Sequence, residues 1–194
     1  MEGKGNKEIK KDKQLTRAFI CVDFPEEVIV EVARIEELLN KKKFIGKVTE
    51  LENLHLTLKF LGEMEENKLS LLKERLSNIK NQKFNLTLLP MGIFPDVNNP
   101  RIMWVGIKKE EKLFELQRKI DESTIDLSNE SMSFAAHLTL GRIKLIKNKK
   151  EFLKQFEEIK IEDLNFKIKK FALFKSKTMR EGPRYEILEE YSLE

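Results

Sequence analysis

The sequence predicts a protein of mixed helices and strands built from two similar lobes, and three observations lead to this prediction. Predicted strands and helices follow the same order in each half of the 194-residue chain. Matching landmarks recur at a nearly constant offset, since Arg17 and Arg101 are 84 residues apart and His55 and His137 are 82 apart. The tetrapeptide His-Leu-Thr-Leu occurs once in each half. An internal duplication accounts for all three, so we expect two lobes related by an approximate two-fold axis.

The first half is predicted to contain three strands and two helices. Its opening apolar run is typical of a buried strand, and Pro25 begins a helix because proline is favoured in the first turn. Apolar residues then recur at three- and four-residue spacing, as on one face of a helix. Later segments alternate polar and apolar residues, as strands do. The predicted elements are a strand at 17–24, a helix at 26–42, a strand at 53–62, a helix at 65–80 and a strand at 83–94.

The second half repeats this order after a loop at 95–100 that is rich in proline and asparagine. Its predicted elements are a strand at 101–108, a helix at 110–126, a strand at 135–143, a helix at 149–160 and a strand at 164–176, with a final strand at 184–192. We expect one domain over 15–194, with repeat halves at about 17–95 and 101–176. Residues 1–14 carry five lysines, three acids and little apolar surface, which predicts a disordered basic tail outside the fold.

Length and cysteine content limit the class of protein. A chain of 194 residues can bury a hydrophobic core without disulfides. The single cysteine, Cys21, lies in an apolar run, which predicts a buried thiol and a reduced, cytoplasmic setting. No run approaches the roughly 18 apolar residues of a membrane span, and the first fifteen residues lack the apolar core of a secretory signal. We therefore expect no membrane contact.

Basic residues are unevenly distributed, although the net charge is only +4. Residues 142–150 include five basic side chains and no acid, and residues 167–180 include six and no acid. Such stretches suit a polyanion. Lysines that only solvate an exposed face would give the same pattern, so both interpretations stay open.

The two histidines of the chain occupy the same local sequence, His55-Leu56-Thr57 and the matching segment at 137–139. Side chains alternate along a strand, so each histidine shares a face with the threonine two residues on, while the leucines point the other way. One face of each strand then packs on apolar material and the other presents an imidazole beside a hydroxyl. A two-fold relation brings both pairs into one groove, where they can surround a small anion such as phosphate.

Paired imidazoles and hydroxyls suit phosphoryl transfer by a general acid and a general base without a metal ion. With an unperturbed pKa of about 6.5, one imidazole can be neutral while the other is protonated. Each threonine hydroxyl can donate a hydrogen bond to a phosphoryl oxygen. Zinc binding is a rival interpretation, but a zinc site needs three or four ligands, and no Cys, Asp or Glu accompanies either motif at ligand spacing. For either motif alone, a polar residue on a solvated strand face is the simplest alternative.

These motifs resemble a known family. The segments "HLTLKFLG" at 55–62 and "AAHLTLGR" at 135–142, in a repeat that begins "RAFICVDF", are similar to the 2H phosphoesterases. Together with "RIMWVG" they resemble the RNA 2',3'-cyclic phosphodiesterases, historically called 2'-5' RNA ligases, and the likeness spans residues 17 to about 192. The resemblance implies an α+β fold of two lobes, each an antiparallel-rich sheet with helices on its outer face, around a central groove.

The resemblance also implies an activity and its residues. His55 and His137 are the expected catalytic pair, and Thr57 and Thr139 the expected phosphate ligands. The family's usual reaction opens a terminal 2',3'-cyclic phosphate with water and leaves a 2'-phosphate, with His137 suggested as the base and His55 as the acid. The implied partner is RNA with a cyclic phosphate end, such as tRNA halves, or a small cyclic nucleotide. No cofactor and no metal ion are expected, and the chain is expected to act as a monomer.

Further residues are candidates for the groove. Arg142 matches the family's basic residue five positions after the second histidine, where it would bind phosphate. Simple alternation puts it on the wrong face, but Gly141 permits a bulge that turns it inward. Its counterpart in the first motif is Phe60, for which packing is expected. Lys59 shares the parity of the first histidine, so it either touches RNA or is exposed to solvent, and Trp104 is expected in the core unless it stacks on a base.

Two other functions stay open. The same site run in reverse joins RNA halves through a 2'-5' bond, with a 5'-hydroxyl in place of water. A groove that binds RNA without turnover is an alternative of another class, although a pure binder has no need for two titratable groups at matched positions.

Overall fold

The fold is known from a computed structural model, which describes residues 15–39, 43–128, 130, 133–180 and 182–194. The predicted tail at 1–14 lies outside the described residues. The strands are β1 (Leu15–Asp23), β2 (Phe44–Val48), β3 (His55–Glu65), β4 (Phe84–Phe94), β5 (Ile102–Ile107), β6 (His137–Ile146), β7 (Asn165–Ile168), β8 (Lys170–Thr178) and β9 (Pro183–Ser192). The helices are α1 (Glu26–Leu38), α2 (Glu66–Ser77), α3 (Glu111–Thr124) and α4 (Lys149–Glu158).

The strands form two antiparallel sheets, one for each lobe. The first sheet has the order β3-β1-β8-β9 and the second has the order β2-β6-β5-β4-β7. Helices α2 and α3 pack against the first sheet. Helix α4 packs on the second sheet, where the Phe152 ring lies 5.8 Å from that of Phe44, and Gln155 Nε2 donates a 2.6 Å hydrogen bond to the Leu38 carbonyl at the end of α1. The prediction of a two-lobed α+β fold is confirmed.

Strand β4 of the first half of the sequence lies in the second sheet, and strand β8 of the second half lies in the first sheet. Strands β1 and β3 come from the first half, yet β8 of the second half pairs with β1. Strands β5 and β6 come from the second half, yet β4 of the first half pairs with β5. The triplets β3-β1-β8 and β6-β5-β4 therefore correspond. The lobes are not two contiguous segments, and the repeat boundaries at about 95 and 101 stay a prediction.

The core side of each sheet follows the expected alternation of side chains. In β1 the core residues are Ala18, Ile20 and Val22, and in β5 they are Met103 and Val105. The leucines of both histidine motifs belong to the same buried cluster, which also takes the apolar faces of the helices. Full burial of side chains of this size stabilises the fold by about 1.5–3 kcal/mol each, before the entropy of ordering the chain is subtracted.

One predicted strand is wrong, and one observed strand was missed. The strand predicted at 164–176 is two strands, since the chain leaves the second sheet as β7, turns at Lys169 and enters the first sheet as β8. Strand β2 was not predicted, because it has only five residues and contains Gly46. That glycine is required by close contact, since a Cβ there would lie 2.2 Å from the carbonyl oxygen of Arg142. None of the described helices is long and apolar enough to cross a membrane.

Candidate active site

The two histidine strands pair with their neighbours in the same register. In the first sheet Thr57 lies opposite Cys21 of β1, and in the second sheet Thr139 lies opposite Trp104 of β5. Each pairing then skips one residue, Leu58 in β3 and Leu140 in β6, which is the pattern of a β-bulge. The bulge follows each histidine by three residues in both lobes.

Each bulge reverses the alternation of side chains beyond it. Beyond Leu140, Arg142 pairs with Ile102, which shares the face of Trp104, so Arg142 returns to the face of His137. The bulge that Gly141 was expected to permit is therefore present, at the neighbouring residue. Beyond Leu58, Phe60 pairs with Phe19 and lies on the face of His55.

Lys59 is the residue for which the prediction from parity is wrong. The bulge places it opposite Ile20, a core residue, and its Nζ forms a 3.0 Å ion pair with Asp121 of α3. Simple alternation failed here because the extra residue, Leu58, keeps two successive side chains on the helix side. Lys59 thus lies behind the sheet and not in the groove.

His55 is half-buried among aromatic rings at the start of β3. Its ring centroid lies 4.8 Å from that of Phe19 and 5.2 Å from that of Tyr185, which meets it edge to face. Burial lowers the pKa of His55, its hydrogen bond with the Asn53 carbonyl acts in the opposite direction, and the charge of His137 lowers the pKa further. The two imidazoles are therefore within electrostatic range of each other, and their strands β3 and β6 are in contact.

A short turn fixes the orientation of the His55 ring. The Nδ1 atom lies 2.7 Å from the carbonyl oxygen of Asn53, in the 3-10 turn Leu51–Asn53. An Nδ1–H that donates to this carbonyl leaves Nε2 free to face the groove. The buried Asn53 amide in turn donates to the Pro183 carbonyl at 3.2 Å and to Glu50 Oε2 at 3.3 Å. The start of β9 therefore helps to hold the first histidine.

His137 repeats the arrangement in the second lobe. Its Nδ1 atom lies 2.7 Å from the carbonyl oxygen of Ala135, again two residues earlier in the chain. The Phe94 ring meets the imidazole edge to face at 5.2 Å, and Phe94 is itself stacked on Trp104 at 4.8 Å. Both imidazoles thus have Nδ1 engaged with a carbonyl two residues earlier and rest against aromatic side chains.

Trp104 lies on the groove side of β5 and not in the core, contrary to the expectation for a tryptophan in an apolar strand. It is half-buried, and its neighbours Met103 and Val105 are the core residues. Its indole rests on Gly92, where an added Cβ would lie 2.1 Å from Cζ2 of the ring. Its Nε1 is buried without a hydrogen-bond partner.

Tyr185 of β9 was not singled out in the sequence, although it lies at the site. Burial raises the pKa of its phenol, and the positive charges of Arg142 and Arg17 act in the opposite direction. Arg142 therefore lies within electrostatic range of a residue of the opposite lobe. The signal in the sequence was only a tyrosine in a predicted strand, since nothing in the local pattern indicates that β9 borders β8 in the first sheet.

The two basic stretches differ in the structure. In the stretch at 167–180, Lys170 pairs with Glu190 and Lys177 pairs with Glu186 at 3.0 Å, so acids of β9 offset part of its charge. In the stretch at 142–150, Arg142 faces the groove and Lys149 Nζ donates a 2.9 Å hydrogen bond to Asn98 Oδ1. The favourable position for an anion is therefore beside the second histidine motif.

The thiol of Cys21, opposite Thr57 in the first sheet, is covered. Cys21 is fully buried, as expected, and burial raises the pKa of its thiol, with the charge of Asp23 adding to the rise. Within the described ranges no group of three or more His, Cys, Asp or Glu side chains is arranged to hold a metal ion.

The sequence matches a family model described as LigT like Phosphoesterase twice, over residues 22–104 and 105–185. A protein of Methanocaldococcus jannaschii named RNA 2',3'-cyclic phosphodiesterase is 36% identical over 178 residues, which cover 90% of this chain and 99% of that protein. A protein of Thermotoga maritima with the same name is 32% identical over 184 residues, which cover 92% of this chain and 96% of that protein.

Two solved structures are similar in fold. E. coli LigT superposes with a TM-score of 0.76 at 23% sequence identity, covering 93% of this chain and 99% of that chain. A protein of Thermus thermophilus superposes with a TM-score of 0.77 at 24% identity, covering 91% of this chain and 97% of that chain. These two comparisons support the fold, and the family model spans both halves of the sequence.

Proposed function

The chain belongs to the LigT-like phosphoesterase family, and from this premise we propose that it hydrolyses the 2',3'-cyclic phosphate at an RNA end to a 2'-phosphate, without a metal ion. The observation that carries the proposal is the duplicated site. Two histidines on contacting strands, β3 and β6, each have Nδ1 2.7 Å from a carbonyl oxygen two residues earlier and a threonine on the same strand face. Relatives named RNA 2',3'-cyclic phosphodiesterase support the choice of substrate.

In the proposed reaction, Nε2 of neutral His137 removes a proton from water while the water oxygen attacks phosphorus. The bond between phosphorus and the 3'-oxygen breaks, and Nε2–H of protonated His55 gives its proton to that oxygen. The product has a 2'-phosphate and a free 3'-hydroxyl, and the two histidines have exchanged protonation states. Each transfer uses Nε2, the nitrogen that the Nδ1 contact with a carbonyl leaves available in both rings.

The polar groups of the site stabilise the phosphate as its charge builds up in the transition state. Thr57 and Thr139 are the next residues after each histidine on the groove face and present hydroxyl donors to the nonbridging oxygens. Arg142 lies on the same face as Thr139 because of the bulge at Leu140, and a guanidinium suits a phosphate by geometry and charge. Its position at one lobe only makes the site asymmetric.

The lowered pKa of His55 couples its protonation to substrate binding. Burial and the charge of His137 favour the neutral ring in the free protein. A bound phosphate anion favours the charged ring, so the acid becomes protonated as the substrate enters the groove. NMR titration of the two imidazoles with adenosine 2'-phosphate tests this assignment. A pKa of His55 that stays below its ordinary value with the ligand bound would reverse the acid and the base.

Hydrolysis itself is tested with an oligonucleotide that ends in a 2',3'-cyclic phosphate. His55→Ala and His137→Ala should each abolish turnover while the circular dichroism spectrum is retained, and Lys59→Met, a change behind the sheet, should leave turnover intact. Product analysis should give a 2'-phosphate, and a chelator should have no effect. Turnover in both histidine variants, or loss of activity in the chelator, would contradict the proposal.

Ligation is the second candidate, because the same acid, base and anion site can act in reverse. Adding an RNA with a free 5'-hydroxyl to the assay distinguishes the two reactions by the appearance of a 2'-5' bond. Small cyclic nucleotides belong in the same substrate panel, since the site contacts the phosphate in either case. Binding of RNA without any product would support a module that binds without turnover.

A further inference from the structure

The strands that carry the two histidines differ in charge beyond their motifs. At the end of β6, residues 143–147 include two lysines and no acid. At the end of β3, residues 61–65 include two glutamates and no base. The lobes therefore differ in charge at the place where the repeated motifs end. A polyanion that extends away from the histidines is attracted along the second lobe and repelled along the first.

In the first lobe, acids on neighbouring strands offset basic residues of the sheet. Arg17 of β1 pairs with Glu63 of β3, and both side chains are exposed. Opposite charges at facing positions of two strands attract each other, so Glu63 offsets the charge of Arg17. The acids of β9 act in the same way on Lys170 and Lys177 of β8. The attraction of this lobe for a phosphate chain is therefore reduced.

In the second lobe, basic and apolar side chains continue the strand face that carries the second histidine. Lys47 of the edge strand β2 pairs with Arg142, and Ile45 pairs with Leu145. Lys47 and Ile45 share the face of Arg142, because side chains alternate along β2 and Phe44 belongs to the core. The exposed fractions of Ile45 and Leu145 are 46% and 56%. An uncovered aliphatic pair thus lies next to the arginine of the site.

A further basic residue borders this pair. The pairing of β2 with β6 skips Lys144, in the pattern of a bulge, and its side chain is exposed. Glu50 pairs with Lys47 at 2.5 Å and offsets part of the positive charge. Exposed apolar groups bordered by polar ones are typical of interaction sites. We call this region the β2–β6 surface, and it consists of Ile45, Lys47, Arg142, Lys144 and Leu145.

We infer that the β2–β6 surface binds the single-stranded RNA that precedes the nucleotide with the cyclic phosphate. The inference rests on the proposed function, which places that phosphate between the histidines and beside Arg142. Each preceding nucleotide adds a phosphate, which basic side chains attract, and a base, whose flat face can cover the aliphatic pair and remove its surface from water. The preferred substrate is therefore an oligonucleotide and not a cyclic mononucleotide.

A second copy of the chain is a poor occupant of the β2–β6 surface. A two-fold contact uses the same patch twice, so Lys47, Arg142 and Lys144 of one copy would meet the same residues of the other. Like charges brought together in this way oppose association. An acidic protein would match the charge of the surface, so an acidic polypeptide is included as a competitor in the test.

The test compares two substrates with the same reactive end. Steady-state kinetics would give kcat/KM for adenosine 2',3'-cyclic phosphate and for an adenylate trimer that ends in a 2',3'-cyclic phosphate. The wild type should prefer the trimer. Leu145→Asp adds a negative charge and removes apolar surface, so it should lower kcat/KM for the trimer by about tenfold and leave the mononucleotide unchanged. Leu71→Asp, the same change at an exposed leucine of α2, is the matched control and should affect neither substrate.

Lys144→Met tests the charge of the surface separately. The trimer is bound to His137→Ala protein, which should not hydrolyse it, with and without the lysine. Loss of the lysine should weaken binding and should reduce the slope of log binding constant against log salt concentration by about 0.7, the value for one phosphate contact with a single strand. An unchanged slope would contradict the inference.

The outcomes separate this inference from the proposed function. Equal kcat/KM for both substrates in the wild type, or equal effects of Leu145→Asp on both, would overturn the inference and leave hydrolysis of the cyclic phosphate in place. Polyglutamate that binds as tightly as the trimer, and is weakened equally by Lys144→Met, would assign the surface to acidic proteins and also overturn it. A trimer that binds through Leu145 but is not hydrolysed would disprove the proposed function and leave the RNA surface in place.

Discussion

Gly92 is the position at which one added methyl group tests the aromatic packing beside His137. A Cβ at this position would lie 2.1 Å from Cζ2 and 2.4 Å from Cη2 of Trp104, whereas ordinary contact begins at 3.4 Å. In Gly92→Ala the indole must move by about 1.3 Å for its Cζ2 atom to reach an ordinary contact distance from the new Cβ. Such overpacking costs about 1–3 kcal/mol, so we expect the free energy of unfolding to fall by that amount.

The assay uses the fact that Trp104 is the single tryptophan of the chain. Urea unfolding followed by fluorescence reports on the ring that moves, and the emission spectrum of the folded variant should shift relative to the wild type. For a chain of this length, each kcal/mol lowers the melting temperature by about 2–4 °C. Because Phe94 stacks on Trp104 and touches His137, turnover of a cyclic phosphate should also decrease.

A double-mutant cycle isolates the contact. In a Trp104→Leu background the added methyl group meets a smaller side chain, so Gly92→Ala should cost much less, as measured by circular dichroism in urea. An equal loss of stability in both backgrounds would refute the explanation, because the cost would then arise from the backbone at Gly92 and not from the indole.

Three further predictions concern charge and topology. Burial lowers the pKa of His55 in the folded protein below its value of about 6.5 in the unfolded chain. The folded protein therefore keeps its full stability above pH 6.5 and loses stability as the pH falls towards the pKa of the folded state, because the unfolded chain binds the proton more readily. His55→Gln should therefore remove part of the slope of unfolding free energy against pH, and an unchanged slope in urea titrations below pH 7 would contradict this. Lys59→Met should lower stability by less than about 1 kcal/mol and leave kcat/KM unchanged, because its ion pair with Asp121 lies on the helix side; a tenfold loss of kcat/KM would place Lys59 in the groove after all. Residues 1–97 and 98–194 expressed separately should not fold alone, because the first fragment lacks β8 and β9 of the first sheet and the second fragment lacks β2 and β4 of the second sheet. Cooperative unfolding of either fragment by itself would contradict the observed pairing.

Local patterns in the sequence predicted the elements and the central residues of the site. The repeated His-Leu-Thr-Leu required only alternation along a strand, and in the structure each histidine has a threonine on the same face of its strand, with the two strands β3 and β6 in contact. The prediction that Arg142 lies on the face of His137 depended on a bulge, which Gly141 was expected to permit. The catalytic roles of these residues stay predictions.

The remaining features depend on information that no local pattern holds. Alternation gave the wrong face for Lys59, because no feature of "TLKF" reveals the extra residue at Leu58. Trp104 sits in an apolar strand like a core residue, and only the glycine at 92 on the neighbouring strand makes room for it on the groove side. The chain changes sheets at Lys169, within a segment predicted as one strand; the only local sign is the pair of lysines at 169 and 170, where the alternation of polar and apolar residues breaks. Each of these depends on pairing between strands that are distant in the chain.

The exchange of β4 and β8 between the two sheets affects how the site responds to its ligand. Two lobes joined by a single flexible connection could rotate apart as rigid bodies. Here β7 of one sheet and β8 of the other are separated only by Lys169, so wide opening would first break strand pairs at their ends, at a cost of about 0.5–1.5 kcal/mol for each hydrogen bond. We therefore expect the distance between the two imidazoles to be set in the free protein, so that binding energy need not be spent on closing the site around a phosphate. Selectivity then depends on shape and charge that exist before the ligand arrives.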